Sequence, residues 1–190
     1  MVLAGVVAAQ VLFPIGVVSA ASTSVGATAD FLSAITLTPT NMQFGKISFG
    51  ATPGASDTVV LTTAGGITYN GTFSSGGSST VAAGDVAIGG ATGNVLNVSC
   101  ATSGVLAQAA GSGRITVNAI KVAKESATGS PVTCAGTGTT VLSFTLTTTT
   151  DDQLKLGGTI DGSTQVSFAA GSYSTANTGG SAVNVDVVYQ

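Results

Sequence analysis

The feature that most restricts this chain is the period of its apolar residues. After residue 21 helical spacing is hard to find, while apolar side chains recur at every second position. A period of two sends successive side chains to opposite faces of a strand, so one face can be buried while the other stays in water. Leu96, Val98 and Cys100 share one face, with Asn97 and Ser99 on the other. Leu142, Phe144 and Leu146 alternate with Ser143, Thr145 and Thr147, and Leu154, Leu156 and Ile160 keep one parity across Gly157-Gly158. Ile115, Val117 and Ala119 alternate, but the apolar parity then passes to Ile120 and Val122, as an inserted residue would make it do. Further β runs cover Asp57–Thr63 and Ile67–Tyr69.

Glycine pairs at 65–66, 76–77, 89–90, 157–158 and 179–180 punctuate these runs and read as turns, where positive φ is tolerated. Short strands with turn signals this frequent predict an all-β fold, a single immunoglobulin-like sandwich. Only 7% of the residues are charged, against roughly a quarter in an ordinary domain, while 44% are apolar. Disordered chains have the reverse bias.

The same composition excludes function classes. A net charge of -3, with Lys46, Arg114, Lys121, Lys124 and Lys155 forming no run, leaves no footprint for nucleic acid. There is no histidine. Acid–base work would fall to Asp30, Asp57, Asp85, Glu125, Asp151, Asp152, Asp161 and Asp186, most of them beside Gly, Ser or Thr, where Asp usually caps a turn. Asp151 and Asp152 are adjacent, but neighbours on a strand face opposite ways. No nucleophile elbow has a base to serve it, and Gly89–Gly93 lacks the Lys-Ser/Thr ending of a phosphate loop. The expectation is a non-enzyme without cofactor, metal or small-molecule substrate. The sequons at Asn70 and Asn97 are of the kind that chance supplies in a chain this rich in Ser and Thr.

Residues 1–20 read as a signal peptide: Val2 to Val18 are apolar except for Gln10 and Pro14, and Val18-Ser19-Ala20 forms a small-residue cleavage site. The run is short for a membrane span, which needs about 20 apolar residues. Export agrees with the cysteines. Cys100 and Cys134 form no CxxC, and an oxidising compartment would join them in one intradomain disulfide. Two inert buried thiols are the alternative, and equally structural.

Residues 21–38 form an N-terminal extension ahead of a sandwich at 39–190. Within it Val25, Ala27, Ala29, Phe31, Ser33, Ile35 and Leu37 alternate until Pro39. This segment is either the first strand of its own sandwich or a strand to be added to another chain. It is longer than the usual strand of about 5–6 residues, so a free leading half and a paired trailing half can coexist. The C-terminus is patterned too, with Val183, Val185, Val187 and Tyr189 on one face.

Several stretches carry a family resemblance in order: Ala27-Thr28-Ala29, Ile35-Thr36-Leu37-Thr38-Pro39, Met42-Gln43-Phe44-Gly45-Lys46-Ile47, Leu156-Gly157-Gly158-Thr159-Ile160, Ala170-Gly171-Ser172-Tyr173 and Val185-Asp186-Val187-Val188-Tyr189. Together they resemble a family of short secreted proteobacterial proteins known only as a domain of unknown function, which looks like chaperone–usher pilins. The resemblance implies a sandwich lacking one strand, filled by the N-terminal extension of the next subunit. Ala27, Ala29, Phe31, Ile35 and Leu37 would then be the donor-strand contacts. It also implies a terminal strand, Val183 to Tyr189, that binds a periplasmic chaperone, with an outer-membrane usher and further copies of the chain as partners. The expected product is a cell-surface filament. A self-complete secreted sandwich, acting as surface adhesin or biofilm-matrix protein, is the competing expectation.

Overall fold

The computed structural model describes residues 26, 28–50, 52–54, 56–125, 130–147, 152–164 and 168–190. The signal peptide expected at 1–20 and the donor contact expected at Ala27 lie outside the described residues. The chain divides into two units, residues 1–31 and 32–190. In the first, the described residues form no strand and Phe31 is 95% exposed.

The second unit is all β. Its strands in chain order are β1 (Thr36–Thr40), β2 (Ile47–Phe49), β3 (Thr58–Leu61), β4 (Ile67–Tyr69), β5 (Phe73–Ser75), β6 (Gly84–Gly89) and β7 (Val95–Cys100). There follow β8 (Gly104–Gln108), β9 (Arg114–Lys124), β10 (Val132–Thr133), β11 (Leu142–Thr145), β12 (Asp152–Asp161), β13 (Tyr173–Ser174) and β14 (Val185–Tyr189). The large sheet runs β1-β6-β12-β9-β8-β13, with β3 and β4 continuing from β12 and β10 from β9. A second sheet runs β11-β7-β14, and β2 pairs with β5. Every pairing is antiparallel, as an immunoglobulin-like sandwich requires.

The core forms where the alternating faces meet. Leu96 and Val98 of β7 and Val187 of β14 pack with Ile88 of β6, Val122 of β9 and Leu154 of β12. The expected bulge in β9 is present. Ala119 takes a positive φ of 46°, and Val117 and Ile120, of opposite parity, are both buried. The register with β12 shifts at this point, between Gly157 and Thr159. Here the turn reading of one glycine pair fails. Gly157 and Gly158 lie inside β12, where a Cβ on the first would run into the Leu61 carbonyl and one on the second would come 2.8 Å from Val117. Close approach of backbones, not a turn, demands glycine there.

Cys100 and Cys134 are joined. Cys134 follows β10 and donates its backbone N–H to Ile120 of the large sheet, whereas Cys100 ends β7 of the small one. The bridge therefore ties the two layers together. A disulfide is compatible with an extracellular or periplasmic location.

Two carboxylates hold loops. Asp57 accepts hydrogen bonds from the Gly54 and Thr72 backbone N–H groups and the Thr72 hydroxyl. A Cβ at Gly71, whose φ is +68°, would overlap it. The Gly54 and Thr72 amides hold the Asp57 carboxyl below its ordinary value. Burial pushes the Asp152 carboxyl up, but Lys124, at 2.8 Å, and Thr147 outweigh it and leave it lowered. A folded pKa below the unfolded one of about 3.9 means stability that is complete above that pH and lost as the pH falls toward the folded value. Asp57→Asn is expected to melt lower than the parent at pH 7. Between about pH 5 and 2 its melting temperature should fall less steeply, as followed by circular dichroism; parallel curves would remove Asp57 from the acid response.

Candidate functional site

The last strand has an open edge. Among the described residues β14 pairs only with β7, in the register Asp186↔Ser99 and Val188↔Asn97. The flanking bonds, Ala101 N–H to the Asn184 carbonyl and Gln190 N–H to the Val95 carbonyl, show that even-numbered residues direct their backbone groups at β7. Those of Val185, Val187 and Tyr189 consequently line the outer edge, which no strand among the described residues covers.

A second unpaired stretch faces the same space. Gln43 exchanges both backbone bonds with Ala82, at 2.8 and 2.9 Å. The alternation of extended backbone then turns the groups of Met42 and Phe44 away from that pairing. Between the two stretches lies an open groove of about 910 Å³. Val183 and Val185, Met42, Phe44, Ile47 and Phe49, and Leu106, Leu156 and Ile160 are among the residues that line it. Its volume reaches the upper end of small-molecule pockets, but strand edges with unpaired main chain suit an extended peptide better.

An aromatic cluster stands in the groove. Phe168 packs against Phe49 and Phe73, with ring centroids 5.5 and 5.4 Å away. Phe73 is buried, whereas Phe49 and Phe168 keep half-buried surfaces.

Lys46 and Asp85 border the groove, and two lysines are held in ion pairs. Lys124 meets Asp152 under the Phe144 ring, and Lys155 lies 2.7 Å from Asp85 and 3.2 Å from Glu125. The hydrogen bond to Asp85 raises the Lys155 pKa, so that side chain stays an ammonium and no nucleophile. Among the described residues no cluster of three or more His, Cys, Asp or Glu could hold a metal.

The residues singled out from the sequence fall into separate places. Val183 and Val185 line the groove, Val187 is in the core, and Tyr189 is half-buried beyond it. The Tyr189 hydroxyl accepts from the Ala91 N–H at 2.6 Å and donates to the Ser33 carbonyl at 2.9 Å. Ile35 packs against the core of its own domain. Leu37, 37% exposed, sits in β1 opposite Ile88 and also borders the groove. Ala29 and Phe31 are exposed. Thus the trailing half of the alternating segment is paired in its own sheet. Sequence reading did not single out Phe49, Phe73, Phe168 or Leu106; isolated apolar residues without a pattern around them carried no signal.

No protein-family model, curated protein or solved structure matches the chain.

Proposed function

We propose that this chain is the structural subunit of an extracellular filament, a pilus or fimbria, that polymerises by inserting its N-terminal strand into the groove of a neighbouring copy. One observation carries the reading: an apolar groove lined by residues of two strand edges that no strand among the described residues covers. An exposed strand edge above an apolar floor is a template for strand addition, with main-chain bonds supplying affinity and alternate side chains filling the floor. The occupant is a second copy's arm, residues 22–33, because that segment alternates and precedes the part of the chain held in its own β1. Residues beyond it are committed: Ile35 to the core and Leu37 to the β1–β6 pair.

Export through the periplasm, with a chaperone shielding the groove and an outer-membrane usher, accompanies this reading through the pilin resemblance. β1 pairing inside its own sheet favours the rival, a self-complete adhesin or matrix sandwich, whereas the uncovered strand edges beside the groove favour strand addition. Electron microscopy of the secreted protein separates the two. Filaments with arms crossing between subunits are expected; a monodisperse monomer at every concentration would sink the proposal.

A further inference from the structure

Within that reading, on which this inference rests, we infer that Phe31 is the main anchoring side chain of the arm and that the Phe49–Phe73–Phe168 cluster of the neighbouring copy is its seat. On the alternating face of the arm, Val25 offers a short branched side chain, Ala27 and Ala29 one methyl each and Ser33 a hydroxyl. Phe31 is the one aromatic there, and it is almost fully exposed. A phenylalanine brings about 150–250 Å² of burial, several times what a methyl brings, so the energy of docking concentrates on it.

The groove offers a matching surface. Phe168 meets Phe73 edge-on, with planes at 60°, and Phe49 at 52°, and both Phe49 and Phe168 present half-buried surface to the groove. A further ring extends a tilted cluster of this kind at the favoured spacing of about 4.5–7 Å. The root of the arm is fixed as well. Tyr189 holds the Ser33 carbonyl, and Ile35 is anchored in the core. Phe31 stands two residues before that root, so less chain entropy is lost when it docks than for residues further out.

The test refolds the full chain from denaturant with an excess of a fluorescent peptide carrying residues 22–35, and measures the peptide retained after gel filtration. The wild-type peptide is expected to be retained. An F31A peptide should need about 30-fold or more higher concentration for the same retention. A D30N peptide, altered on the opposite face, should match wild type. The Phe168→Ala chain, its fold checked by thermal melting, should lose affinity for the wild-type peptide but show little further loss with F31A, since the two changes remove one contact. If no peptide is retained, the donor-strand reading falls and takes this inference with it. If wild-type and F31A peptides are retained equally, or if the F31A and Phe168→Ala losses simply add, only the Phe31 seat is overturned.

Discussion

A chain lacking residues 22–33 is expected to fold and to form no filaments. The deletion ends before β1, so Thr36 keeps its place opposite Gly89 and Leu37 its place opposite Ile88. It leaves the compact unit nearly whole, since that unit begins at Leu32. The acceptor groove stays, but no copy has an arm to donate. Sedimentation should therefore show a monomer where the parent sediments as polymer. Supplying the arm as a peptide at about 100 times its Kd should stabilise the truncated chain by about 2.7 kcal/mol. At about 2–4 °C per kcal/mol for a domain of this size, the melting temperature rises by roughly 5–10 °C. Filaments from the truncated chain would refute the arm's role. Extending the deletion to Leu37 is a different experiment, because it also removes the end of a resident strand.

Loss of the disulfide should cost the most stability of any change considered. Cys100 and Cys134 are 34 residues apart, and a loop of that length contributes about 3.5–4 kcal/mol on the chain-entropy account. The Cys100→Ala, Cys134→Ala pair is expected to melt roughly 7–16 °C below the parent. The consequences should reach the groove. Cys100 stands opposite Val185 on the groove wall, so loosening the end of β7 loosens the strand edge on which an arm would pair. Thermal melts of the double variant and of the reduced parent should agree. A shift of less than about 2 °C would show that packing alone holds the layers.

Much of this fold was legible before any coordinate. The parity of Leu96, Val98 and Cys100 announced a buried face, and all three are inaccessible to solvent. The parity change between Ala119 and Ile120 announced the bulge. Both signals are local: a strand's faces are two residues apart, so a short window records which side meets the core. Gly157-Gly158 misled because turns and close strand approach make the same demand for a missing Cβ, and only the neighbouring Leu61 carbonyl distinguishes them. Asp57 was readable as a turn carboxylate, but its grip on Thr72, fifteen residues away, was not.

The sequence by itself determined that this chain is built of strands, which faces they bury, and where a single pair of cysteines could lie. Only the tertiary structure decided which strand edges go unpaired. It kept Thr36–Thr40 in its own sheet, left one edge of β14 uncovered by any described strand and brought Met42 and Phe44 to the same groove as Val185. The reason is physical. Side-chain hydrophobicity selects the face of a strand, but its edge is backbone N–H and C=O, nearly the same for every residue. The period of two that opened the reading says which way side chains point; it says nothing about whose main chain lies alongside.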